Sequence, residues 1–245
     1  MSEGIEKTSA GYAPGTMWSV VLAAGSTDSV VARPALQQLC SAYWYPLYGF
    51  VRRQGFNAAD AEDITQSFFI GLLERNGFRG LDRAKGRFRS FLLASLRNHI
   101  NNVREHNKAQ KRGGGRELIS LDAAAAEEKF ALEPADPADT PEKIFDRQWA
   151  LALLDRALAR LRAEFAADGK TAHFDALQET IAGDKIAGGY AALGEKLGMT
   201  EGSIKVAVHR LRQRYREVIR EEVAATTATP GDTEDELREL FAALS

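Results

Sequence analysis

Four residues at helical spacing pose the first chemical question. Arg97, Asn101, Arg104 and Lys108 fall at i, i+4, i+7 and i+11, so on a helix they share one polar stripe. Guanidinium and ammonium groups neutralise phosphates, and carboxamides match donor and acceptor patterns on base edges. Asn98, Asn101 and Asn102 are poor helix formers, so a functional reading suits them better than a propensity one. From Arg75 to Arg116 twelve Lys and Arg stand against Asp82 and Glu105, while the whole chain carries a net charge of −2. A positive excess this local is the electrostatic footprint of a nucleic-acid site. It runs on through Arg79, Arg83, Lys85, Arg87 and Arg89. Phe88 and Phe91 flank the segment; they suit a base-stacking pocket or, at helical spacing, a core.

The stripe needs a helix from about Ser90 to Lys108, with Phe88, Phe91, Leu92, Leu96, Ile100 and Val103 on its apolar side. An acidic-faced helix precedes it. Asn57 is its N-cap and Asp60 a first-turn acid. Ile64, Phe68, Leu72 and Leu73 mark its buried face, and Asp60, Asp63 and Gln66, three apart, share the other. Earlier, a short helix is expected at Met17–Gly25. A long helical pattern then starts near Pro34, an N1 residue, with Leu36, Leu39, Cys40, Tyr43, Leu47, Phe50 and Val51 as its stripe. Pro46 predicts a kink or break there. Tyr43-Trp44-Tyr45 reads as core packing and Cys40 as a buried thiol.

A second block lies in the other half. Tyr190–Arg216 reads as helix, turn, helix, with Leu193 and Leu197 buried in the first helix. Gly194 permits close helix approach, Gly198 a tight turn, and Thr200 an N-cap. Ile204, Ala207, Val208, Leu211, Tyr215 and Val218 face inward, leaving Ser203, Lys205, Val206, His209, Arg210, Arg212, Gln213 and Arg216 outside. A recognition helix sets its N-terminal residues on bases in the major groove. Ser203, Lys205, Val206 and His209 are therefore expected on bases, and Arg210, Arg212 and Arg216 mainly on phosphates.

Together these residues resemble a known family. Asp60-Ala-Glu-Asp63-Ile-Thr-Gln66-Ser-Phe68-Phe69, followed by Gly86-Arg-Phe-Arg-Ser-Phe-Leu, is similar to the second conserved region of bacterial extracytoplasmic-function (ECF) sigma factors of the sigma-70 family. The likeness spans roughly residues 33–112. Tyr190–Arg216 resembles the fourth region, in family order. The resemblance implies that the acidic helix docks on core RNA polymerase through Asp60, Asp63, Gln66 and Phe69. It implies that the basic loop and next helix capture the promoter's minus-ten element through Arg83, Lys85, Arg87, Arg89, Arg97, Asn98, Asn101, Arg104 and Lys108. Thr200, Ser203, Lys205, Val206, His209, Arg210, Arg212 and Arg216 are then expected at the minus-thirty-five element. The sequence departs from the short family pattern in an extended loop at 166–189, in Ala192 where an acid is common, and in a C-terminal extension.

The expected fold is all-α: two small helical domains joined by an acidic flexible linker, the second containing the helix-turn-helix. The boundaries are a leader at 1–25, the first domain at 26–112, a linker at 113–140, the second domain at 141–223 and an extension at 224–245. Gly113–Gly115 is a breaker, and residues 117–146 hold nine Asp and Glu against Lys129 and Lys143, with three prolines. That composition suits a solvated tether, and the resemblance, in which the linker threads through the polymerase, implies a nucleic-acid mimic as the alternative. Thr140-Pro141-Glu142 starts a helix reaching about Phe165, and a short helix follows at Phe174–Ile181. In the extension, Asp232–Leu244 is a candidate amphipathic helix, either regulatory or packed back on the second domain.

A hydrophobic share of 44% permits real cores. The single cysteine excludes an internal disulfide and suits a reducing cytoplasm. Trp18–Ala24 is apolar but too short to span a bilayer, and no basic segment precedes it as in a signal peptide. The sequence shows no Gly-rich phosphate loop, no nucleophile with a base at motif spacing and no metal-ligand spacing, so neither an enzyme nor a cofactor is expected. The reading is a cytoplasmic sigma factor whose partners are core RNA polymerase and promoter DNA, with an anti-sigma factor or other regulator left open and no membrane. The alternative is a helix-turn-helix regulator acting without polymerase docking.

Overall fold

The computed structural model describes residues 29–74, 87–109, 123–132, 139–183 and 189–245. Every element among them is helical. They are α1 (Ser29–Arg53), α2 (Ala58–Glu74), α3 (Phe88–Ala109), α4 (Ala123–Leu132), α5 (Pro141–Ala167), α6 (Thr171–Leu177), a 3-10 turn (Gln178–Ile181), α7 (Gly189–Leu197), α8 (Glu201–Ala224) and α9 (Pro230–Ala242). The expected helix at Met17–Gly25, the breaker Gly113–Gly115, residues 184–188 of the expected extended loop, and Arg83 and Lys85 lie outside the described residues.

Caps set the helix starts. Asn57 Oδ1 accepts from the Asp60 backbone N–H at 2.9 Å and Asn57 Nδ2 donates to Asp60 Oδ2 at 2.9 Å, so α2 begins where the cap residue stands. Thr140 caps α5 with Pro141 in its first turn. Thr229 and Asp232 form a reciprocal capping box on α9, again with Pro at the start.

The longest element, α5, is the spine. Its first half packs on α1, and its second half packs on α6, α7 and α8. Tyr43 of α1 stacks on Trp149 of α5 with centroids 4.1 Å apart, and Phe88 of α3 meets Tyr43 edge-on at 5.6 Å. Phe50, Phe145 and Trp149 continue this aromatic cluster. Leu161, Phe174, Leu177, Leu193, Ile204, Val208 and Leu211 form a second core around the far half of α5. The first core joins α1, α2 and α3 to α5, α8 and α9, so the apolar interior does not divide at residues 113–140.

Two local expectations differ from the structure. α1 begins at Ser29, which puts Pro34 in its second turn, and it runs unbroken through Pro46. An internal proline costs roughly 3 kcal/mol. The fully buried Tyr43, Leu47, Phe50 and Val51 lie on both sides of Pro46, and each contributes about 1.5–3 kcal/mol, so packing outweighs the lost bond. Inside the expected linker, the Ala-rich stretch Ala123–Leu132 is helical, as alanine's propensity favours. It is held to α1: Arg52 Nε and Nη2 donate to the two Glu127 carboxylate oxygens at 2.9 and 2.7 Å, and Phe130 lies under Arg52 at 4.5 Å.

Candidate nucleic-acid interface

On α2, Asp60 and Asp63 face solvent, while Gln66 and Phe69 are buried. This corrects the expected surface set. At 100° per residue Gln66 stands only about 60° from Phe69, so the buried arc of α2 reaches past it. Gln66 Nε2 donates to Glu62 Oε1 at 3.1 Å. Phe69 stacks on Trp44 of α1 at 6.2 Å, which makes it a core residue.

The stripe on α3 forms as the spacing predicts. Arg97, Asn98, Asn101 and Arg104 are exposed, whereas Phe88 is buried in the aromatic cluster and Phe91 packs beside it. Phe88 therefore belongs to the core and offers no open stacking pocket. Lys108 lies in α3, but its side chain is outside the description. Arg97 Nη2 pairs with Glu142 Oε1 of α5 at 2.5 Å. Arg104 donates to the Gln54 carbonyl oxygen at 3.1 Å and lies 5.2 Å over the Phe56 ring. These contacts fix the two guanidinium groups at the helix surface.

Arg87 and Arg89 depart most from expectation. Arg89 is buried, with Nε donating to Glu236 Oε1 at 2.7 Å and Nη2 to Glu236 Oε2 at 3.2 Å and Glu239 Oε2 at 2.9 Å. Its Nη1 also donates to Asp146. Arg87 Nη1 lies 3.1 Å from Glu236 Oε2 and pairs with Glu239. These two expected minus-ten contacts thus face three carboxylates, two of them on α9. The Arg87 guanidinium holds the Glu239 carboxyl below its ordinary pKa, whereas burial raises that of Asp146.

α7 and α8 meet at a three-residue turn. Gly198 adopts φ +64°, and Met199 N–H donates to the Gly194 carbonyl at 2.8 Å. A Cβ on Gly194 would stand 2.6 Å from the Met199 oxygen, so this helix approach needs glycine. Thr200 Oγ1 accepts from Ser203 N–H at 3.1 Å and caps α8. Ser203, Lys205, Val206, His209, Arg210, Gln213 and Arg216 are exposed. Lys205 pairs with Glu201 at 2.7 Å. Val206 keeps half its surface open, at 50%. Arg212 is different: its Nε donates to the Thr180 carbonyl at 2.8 Å, so its guanidinium braces the 3-10 turn.

Sequence reasoning missed Asp146, Glu142, Glu236 and Glu239 as partners of the basic residues. Glu236 and Glu239, three apart, were legible as one helical face; their targets lie 147 and 150 residues away. Among the described residues no group of three or more His, Cys, Asp or Glu is arranged to hold a metal ion, and no helix is long and apolar enough to cross a membrane.

Residues 41–110, which take in the second half of α1 from Ser41 onward together with α2 and α3, match the family model Sigma-70 region 2. The match makes this segment, less than half of the chain, similar to region 2 of the sigma-70 family. No curated protein and no solved structure matches the chain.

Proposed function

We propose that the chain is a sigma factor of the ECF type with a C-terminal extension, which binds core RNA polymerase in the cytoplasm and directs it to promoters. The observation that carries this reading is a coincidence on one segment. The Sigma-70 region 2 match spans both the exposed acids of α2 and the exposed arginine and asparagine stripe of α3. Asp60 and Asp63 dock on the polymerase. Arg97, Asn98, Asn101 and Arg104 engage the minus-ten element, with Arg83, Lys85 and Lys108 adding phosphate contacts. Strand opening follows because unpaired bases are bound more tightly than paired ones.

α7, the glycine turn and α8 act as the helix-turn-helix for the minus-thirty-five element. The exposed Val206 suits a thymine methyl, Ser203, Lys205 and His209 suit base edges, and Arg210 and Arg216 suit phosphates. In-vitro transcription from sheared genomic DNA tests the proposal. Core polymerase plus this chain should initiate at a discrete set of start sites, and Arg97→Ala or Asn101→Ala should weaken initiation while sparing core binding. A transcript pattern identical to that of core enzyme alone would overturn it.

A further inference from the structure

The C-terminal extension closes over the N-terminal end of α3. The Phe88 backbone N–H donates to the Thr226 carbonyl at 3.3 Å. On either side of Phe88, Arg87 and Arg89 turn to Glu236 and Glu239 of α9, and Arg89 also reaches Asp146 of α5. Both oxygens of Glu236 are engaged by Arg89, and only 2% of that side chain is exposed. A planar carboxylate receiving two parallel guanidinium bonds mimics how a phosphate is held.

The helix carrying these acids is firmly seated. Besides its capping box, Thr227 and Thr233 hydroxyls pair at 2.7 Å, and Thr226 Oγ1 donates to the Val223 carbonyl at 2.8 Å. Leu240 is buried in the first core. Yet Glu239 is half open, with 54% of its side chain exposed, so the contact has a solvent-facing edge from which a competing anion can enter.

We infer that α9 is an autoinhibitory lock: Glu236 and Glu239 occupy Arg87 and Arg89 in place of nucleic-acid phosphates, and promoter strand capture requires their release. This rests on the proposed role of α3 as a nucleic-acid helix. Burying the Arg89 guanidinium against carboxylates, with Arg87 partly buried beside it, costs desolvation that a hydrophobic pair would avoid. The arrangement therefore adds little as a staple, whereas as a lock it keeps two phosphate ligands out of use.

The test uses the full-length protein and a fluorescent, mixed-sequence single-stranded DNA of roughly 20 nucleotides, titrated by anisotropy between about 50 and 200 mM salt. Glu236→Gln/Glu239→Gln should bind about tenfold tighter than wild type at the low end. Its dependence of log affinity on log salt should steepen by about 1.4, or about 0.7 for each arginine released. Adding Arg87→Ala/Arg89→Ala should abolish the gain. Glu234→Gln/Asp235→Asn changes net charge equally but touches Arg220 and Arg238 instead, and should leave affinity near wild type. If the double variant loses its cooperative melt, Glu239→Gln alone decides, since its exposed site tolerates the change, and it too must tighten binding.

Unchanged affinity in the folded variants, an equal gain in the charge control, or a gain that survives removal of both arginines would each overturn the lock. Pull-down of core polymerase by the same proteins separates the two claims. Polymerase binding with no change in DNA affinity removes the lock and leaves the sigma reading. A DNA gain without any polymerase binding does the reverse.

Discussion

Individual side chains carry consequences that the family likeness alone does not. Gly194→Ala puts a Cβ against the Met199 carbonyl. Overpacking of that kind costs about 1–3 kcal/mol, and in a chain of this size each kcal/mol lowers Tm by about 2–4 °C. A thermal melt should show that drop, and an unchanged Tm would mean the turn relaxes freely. Arg212 and Arg216, four apart on α8, should separate cleanly. Arg212→Ala frees the Thr180 carbonyl and should cost roughly 1.5–3 kcal/mol of stability with little effect on duplex affinity. Arg216→Ala should keep the melt and weaken duplex binding; the opposite pattern in melts and gel shifts would reverse the two roles. Cys40 is fully buried, and desolvation pushes its thiol up to about 12. It should therefore ignore thiol reagents until the protein is unfolded. Gln66 and Phe69 show where residue-level reading ends. Three-residue spacing sets Gln66 next to Asp63 on the helix, but the width of the buried arc, which takes in Gln66, depends on how α1 leans on α2, which periodicity does not encode.

At the scale of helices, carboxylates tie one element to another. Arg52 holds Glu127 of α4 below the usual range, Arg214 of α8 holds Glu164 of α5, Arg87 holds Glu239, and Thr229 holds Asp232 within the α9 cap. A depressed folded-state pKa contributes stability that is fully present above the unfolded value and is lost as pH falls through the folded one. Asp146, raised by burial, acts in the opposite sense and is a single group among them. Melting temperature should accordingly hold near neutrality and fall between about pH 5 and pH 3. Melts at constant ionic strength across that window check this, and a flat profile would show that these pairs add nothing. Much of this scale was legible beforehand. The helix starts at Asn57, Thr140 and Thr200, the stripe of α3 and the turn at Gly198 all follow from caps, spacing and glycine. The path through Pro46 and the helix inside the acidic segment were not, because each is decided by burial or ion pairing with distant residues.

For the molecule as a whole, α5 makes one object of the two expected halves. Trp149 sits where α1, α3 and α5 meet, stacked on Tyr43 and beside Phe88. Trp149→Ala should cost about 3–5 kcal/mol and lower the melt of the entire first core rather than of one helix. The sequence pattern could not have revealed this junction, since Tyr43 and Trp149 each look like ordinary core residues of their own helix. The same closure brings α9 onto Arg87 and Arg89, so the molecule holds its acidic extension against its basic segment while Asp60 and Asp63 remain open. The decisive measurement is co-purification with core RNA polymerase, comparing wild type with Asp60→Ala/Asp63→Ala. Stoichiometric capture by wild type, lost in a variant whose thermal melt is unchanged, is the expected result. A wild-type chain that melts cooperatively yet captures no polymerase, or a variant that captures it equally well, would contradict the sigma-factor reading of α2.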